Sequence, residues 1–206
     1  MKKIALLTAL LFALSVLASA QMGMSQDKSK RPSPPASAEC KLPGGGSTML
    51  TGTTTLAKST ALGASGKTVK IDYSSPRAKG RKIFGPSSEK ALVPYGEIWR
   101  TGANEATTFV TDTNVTVGGK SVPAGSYTIF TVPKADAWTL VISKKTGEWG
   151  TDYPGEKEDL ARVPMAVSKT PSLVENFTIA FDSAGGKCTL RMEWENTRAS
   201  VEVSEK

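Results

Sequence analysis

The sequence predicts an all-β domain, an antiparallel β-sandwich of eight to nine strands with at most one short helical turn. Three observations predict it. Apolar side chains recur at every second residue in run after run, the period of a strand with one dry and one wet face. Gly and Pro signals fall between the runs, and no stretch keeps a long helical period. One dry face per strand is the habit of antiparallel sheets, and two such sheets stacked face to face bury one side of each.

The elements follow in order. Val69, Ile71 and Tyr73 alternate with Lys70 and Asp72 in the first clear strand. Val115 and Val117 follow Asn114, and Gly118-Gly119-Lys120 ends their strand. Pro123-Ala124-Gly125 opens the next, Ser126 to Val132. Trp138, Leu140 and Ile142 alternate with Thr139 and Ser143. Glu156 to Ala161 is the one place suited to a helical turn. Phe177, Ile179 and Phe181 face Cys188, Leu190, Met192 and Trp194 across Gly185-Gly186, a hairpin pattern. Asn196-Thr197 is expected to turn a last hairpin into Val201 and Val203.

Domain organisation is read from composition. Residues 1–20 have the layout of a secretory signal peptide: Lys2 and Lys3, an apolar run from Ile4 to Leu17, then Ala18-Ser19-Ala20. The run is shorter than the roughly 20 apolar residues of a membrane span, and no later run in the mature chain is a transmembrane candidate. Gln21 gives no site for lipid attachment. Residues 21–60 are rich in Ser, Thr, Gly and Pro and read as a flexible linker, because such a composition buries too little apolar surface to offset the entropy of ordering. Residues 61–206 form the sandwich. The expected location is periplasmic or extracellular.

Charge and residue usage exclude several functions. The formal net charge of +7 falls to +5 once Lys2 and Lys3 leave with the signal. From Ser65 onward, 19 Lys and Arg stand against 17 Asp and Glu, so the domain lacks the concentrated basic face of a nucleic-acid binder. There is no His, which rules out a Ser-His-Asp or Cys-His centre within the chain and removes the commonest general base. The two Cys residues are Cys40 and Cys188. Export permits a disulfide between them, which would close a loop of about 150 residues. The strand phase of Cys188 instead suits a buried thiol acting as a small apolar filler. Both readings stay open.

Specific words then appear. Tyr73-Ser74-Ser75-Pro76 precedes Lys79-Gly80-Arg81-Lys82-Ile83-Phe84-Gly85, and Val93-Pro94-Tyr95-Gly96 precedes Ile98-Trp99-Arg100-Thr101-Gly102-Ala103-Asn104-Glu105. Later come Pro123-Ala124-Gly125-Ser126-Tyr127, Phe130-Thr131-Val132-Pro133, Trp149-Gly150 and Glu193-Trp194-Glu195-Asn196-Thr197. Together they resemble a bacterial secreted family, domain of unknown function 2911 (DUF2911), from about Lys67 to Val203. The resemblance implies an exported β-rich domain. It supplies no activity, substrate or site, and it does not reach the stretch that carries Cys40.

Candidate site residues cluster in the 99–105 word. Arg100 offers a planar donor fork for a carboxylate or phosphate. Asn104 donates and accepts, and Glu105 is a base or an ion-pair partner. One reading is a ligand pocket walled by Trp99, with Arg81 of the basic run Lys79, Arg81 and Lys82 converging on Arg100. The other is a clamp in which Arg100 pairs with Glu105 or Glu97. Trp138 and Trp194 fall in the apolar phase and belong to the core; Trp149 beside Gly150 is the better candidate for an exposed ring. Asp152, Glu156, Glu158 and Asp159 do not have the spacing of an EF-hand loop and read as a solvated acidic surface rather than a metal site. Glu193 and Glu195 share the wet face of a strand, and nothing in the chain calls for a cofactor. The leading expectation is a non-catalytic envelope domain that binds a cell-envelope glycan or envelope protein, or serves a structural role there. The alternative is a His-independent, hydrolase-like enzyme using Glu105 and Arg100.

Overall fold

The computed structural model describes residues 31–43, 67–149 and 152–206. The expected signal peptide, residues 21–30 of the expected linker and residues 44–60 lie outside them. The strands in chain order are β1 (Pro35–Leu42), β2 (Lys67–Ser74), β3 (Phe84–Gly85), β4 (Val93–Pro94), β5 (Thr107–Thr111), β6 (Val115–Val117), β7 (Lys120–Val122), β8 (Gly125–Pro133), β9 (Ala137–Ser143), β10 (Asp159–Ala184) and β11 (Lys187–Glu205). Nine of them make one antiparallel sheet in the order β1-β2-β5-β8-β9-β10-β11-β6-β7, and β3 and β4 form a separate parallel pair. Among the described residues, helical geometry is confined to two single 3-10 turns, Ser87–Glu89 and Glu156–Glu158. The second falls where a turn is expected and ends early, because Asp159 already starts β10.

The expected alternation is the core. Val69, Ile71, Leu140, Ile142, Phe177, Leu190, Met192, Trp194 and Val203 are all buried, as period two requires of a sheet with one dry face. Phe181 packs against this core only partly buried. Glu193 departs from the expected wet face: it is buried and held by Arg191 and Arg198, so its carboxylate keeps charged donors on both sides. Phe84, Trp99, Trp138, Phe177 and Trp194 form an aromatic nest, with ring centroids from 4.9 Å for Phe84–Trp138 to 6.4 Å for Trp99–Trp138.

Two long strands roll the sheet over. The first part of β10, Asp159–Ala166, pairs with β9, and the stretch from Ala166 to Ala184 pairs with β11. Register shifts between Lys169 and Val174, and between Val174 and Thr178, insert unpaired residues that bend and twist the ribbon. Asn196-Thr197 does not reverse the chain. Thr197 pairs with Lys169 inside a continuous β11, and the positive φ of 51° at Glu195 kinks the strand without turning it. The hairpin at Gly185-Gly186 forms as expected, with φ of 57° and 77°, values that match the twist of the flanking strands and suit Gly.

The expectation of a linker over 21–60 fails at 35–42. Those residues form β1 and pair with β2 over eight positions, from Pro35↔Ser74 to Leu42↔Lys67. An edge strand tolerates Pro at its first residue, and Cys40 and Leu42 turn inward where they are buried. Cys40 and Cys188 form a disulfide with a Cα–Cα distance of 6.4 Å. Cys188 is therefore both buried, as its phase requires, and bonded to Cys40. The bond ties β1 to β11 across the core.

The rolled sheet meets itself along a seam sewn partly by side chains. Ser75 Oγ donates to Phe177 O at 2.8 Å, and two backbone bonds of 2.8 Å join Phe177 N–H to Pro76 O and Ala78 N–H to Glu175 O. Tyr73 Oη accepts from Ile179 N–H at 3.0 Å and donates to Ile179 O at 3.4 Å. One phenol thus satisfies both backbone groups of a buried residue where no neighbouring strand does. Burial raises the Tyr73 pKa, and the hydrogen bond from Ile179 offsets part of that rise. Tyr73→Phe is expected to cost about 2 to 4 kcal/mol, because a buried donor or acceptor left unpaired costs about 1 to 3 kcal/mol. Urea unfolding of the two proteins checks it; an unchanged midpoint would show that the seam does not depend on the hydroxyl.

Candidate functional site

The 99–105 segment is built into the end of the sheet. Trp99 and Thr131 exchange backbone hydrogen bonds of 2.8 and 2.9 Å, a bridge that turns the Trp99 ring into the aromatic nest. The ring stacks on Trp194 at 5.8 Å and meets Phe177 edge-on at 4.9 Å. At 9% exposure, Trp99 is a core residue and does not wall a pocket. Thr101 follows at φ 58°, strained for a β-branched residue and held by fully buried partners. Its hydroxyl lies 3.1 Å from Thr131 Oγ1, and Thr107 Oγ1 donates to its carbonyl at 2.7 Å.

Arg100 turns back on its own loop, whereas Asn104 and Glu105 both reach the 31–33 segment. Arg100 is half-buried. Its Nε–H donates to Gly102 O at 3.4 Å, and desolvation holds its pKa below the usual guanidinium range. Asn104, at φ 57°, uses Nδ2 to donate to Ser33 O at 3.0 Å and Ser74 Oγ at 3.3 Å. Glu105 accepts from Arg31 Nη1 at 2.9 Å. The clamp exists, but its cation is Arg31 and not Arg100. Glu97 accepts from Ser87 Oγ at 3.2 Å. Sequence reasoning missed Arg31 because it lies 74 residues from Glu105, in a stretch read as linker.

Arg81 does not converge on this loop. Its Nε–H donates to Ala78 O at 3.0 Å and its Nη2 to Arg77 O at 2.6 Å, so it fastens its own turn. Lys82 pairs with Glu89. Two members of the acidic group, Asp159 and Glu156, are likewise tied up locally. Asp159 accepts from Tyr153 Oη at 2.8 Å and from Arg162 Nε at 2.7 Å, and Glu156 meets Arg162 at 3.3 Å. Among the described residues no three Asp, Glu, His or Cys side chains gather as a metal site.

Two clefts flank the place where Glu105 and Trp149 pair as an isolated bridge. One, of about 280 Å³, is lined by Arg31, Pro35, Tyr73, Ser74, Glu105 and Thr108. It holds Glu105 without Arg100, Arg81 or Trp99. The other, of about 410 Å³, is lined by Lys145, Glu148, Trp149, Asp152, Tyr153 and Pro154 among others. Trp149 stands at its edge with 58% of its surface exposed, while the other three Trp of the chain are buried. Glu148 lines this cleft and is tied to the sheet behind it. Its Oε2 accepts from Thr128 Oγ1 at 2.9 Å, and its backbone carbonyl accepts from Ala106 N–H at 3.2 Å. Its Oε1 is shielded from water and has no hydrogen-bond partner. Tyr153 closes the wall with its ring against Phe130 at 5.3 Å and its hydroxyl held by Asp159 and Arg162.

Nothing among curated proteins or solved structures matches this chain. A family model described as "Protein of unknown function (DUF2911)" matches residues 56–203. That span runs from ahead of β2 into the end of β11 and leaves out β1 and Arg31. Together with the all-β architecture, this match assigns the chain to the DUF2911 family.

Proposed function

We propose that the protein is exported and works outside the cytoplasm as a non-catalytic binding domain of the cell envelope. The observation that carries this reading is Trp149, a large ring left in water beside a cleft of about 410 Å³ while every other Trp is packed away. Clefts of about 300 to 1,000 Å³ are the usual size of small-molecule sites. Export draws support from the leader-like residues 1–20 and from a disulfide of the kind that persists in oxidising compartments. The enzyme alternative has less behind it, since Glu105 is bound to Arg31 and Arg100 to its own loop.

A pull-down tests the reading. Immobilised mature protein should retain material from solubilised bacterial envelope fractions, and Trp149→Ala should lose most of that retention while unfolding at the same temperature. No retention by the wild type, or equal retention by the variant, removes the proposal.

A further inference from the structure

We infer that the cleft beside Trp149 takes a saccharide, one pyranose ring lying on the indole and its hydroxyls reaching the polar groups around it. This rests on the binding role proposed above and names its ligand class. A pyranose offers an apolar C–H face and a rim of hydroxyls. Trp149 offers the flat apolar face, 58% exposed. Lys145 and Asp152 line the same cleft and supply a cationic donor and a carboxylate acceptor for the rim.

Two features mark the cleft as a site rather than a gap. Its walls are held by specific bonds: Glu148 to Thr128, and Tyr153 between Asp159 and Arg162. Preorganisation of this kind lowers the cost of binding. The second feature is the ring itself, a large apolar face left in water beside groups that are already fixed.

The surface favours a sugar over a protein partner. A stable protein interface buries about 800 Å² on each side. The other large apolar side chains exposed among the described residues, Leu92 and Leu173, belong to different parts of the chain: one precedes β4 and the other sits in the bulged stretch of β10. What surrounds Trp149 is a single ring bordered by Lys145, Glu148 and Asp152.

Intrinsic fluorescence isolates the site, because Trp149 is the exposed member of the four Trp. The purified mature protein is titrated with soluble glycan strands cut from bacterial envelopes, with chitotetraose and with maltotetraose, and acrylamide quenching is read at each point. The expected result is saturable protection of the exposed emission by at least one of these probes. Trp149→Ala should weaken that glycan's affinity about tenfold or more by calorimetry, the loss of one aromatic contact, and Trp149→Phe should restore part of it. If the envelope pull-down retains material that none of the three glycans competes away or protects against, the saccharide proposal falls and the binding role stands. If neither retention nor protection is seen, both fall.

Discussion

Reducing the Cys40–Cys188 disulfide is expected to lower stability by about 5 kcal/mol, the chain-entropy value for a loop this long. The bond spans 148 positions in sequence, so the unfolded chain gains much freedom when it opens. The native state also loses the tie between β1 and β11. Both sulfurs are buried, and Ser183 Oγ lies 3.1 Å from Cys40 Sγ, so a native-state reductant reaches them slowly. The measurement is urea unfolding of wild type and of Cys40→Ala/Cys188→Ala, with the wild type also reduced in denaturant before refolding. The double variant and the reduced protein should shift together. A shift below about 1 kcal/mol would mean that β1 contributes little beyond its hydrogen bonds with β2.

Trp99→Ala is the second large effect, at about 3 to 5 kcal/mol. The ring contacts Phe84, Trp138, Phe177 and Trp194, and the nest cannot collapse around its loss while Trp99 and Thr131 hold the backbone in place. Trp149→Ala should be nearly neutral, since its ring is mostly solvated. The pair separates the core Trp from the surface Trp within one loop-rich end of the molecule. Thermal melts of the two variants decide it; similar losses for both would contradict the burial described above.

What the sequence made legible was the set of strands whose apolar residues alternate cleanly. β2, β6, β9 and β11 each show that pattern, β8 was marked by the Pro123-Ala124-Gly125 turn ahead of it, and the Gly185-Gly186 hairpin joins β10 to β11. β5 escaped notice because Thr107 and Thr111 occupy core positions and bury their hydroxyls by bonding nearby carbonyls, which no hydropathy pattern reveals. The first part of β10 was hidden by Pro164. Before Ala166 that strand has a ladder partner on one side alone, the setting in which Pro is tolerated. β1 looked like linker because an edge strand needs few apolar residues.

The site was legible in part. The 99–105 word drew attention to a real polar hub, but not to its partner Arg31, because ion pairs between distant segments leave no local trace. Proximity to loops suggested that either Trp99 or Trp149 was exposed. Only the bridge to Thr131 decides between them, and that is a tertiary fact. Glu148 gave no signal at all: its hydrogen bonds with Thr128 and Ala106 join segments remote in the chain.

A sheet that joins itself through a phenol, a hydroxyl and two backbone bonds has a line of least resistance drawn across it. Parting the molecule there breaks far fewer bonds than peeling apart the β10–β11 ribbon. Slow breathing should therefore run along this line, and amides beside Ile179 should exchange with solvent sooner than those of central β8. The covalent clasp at Cys40 and Cys188 acts as the spine of a book, so the covers swing without separating.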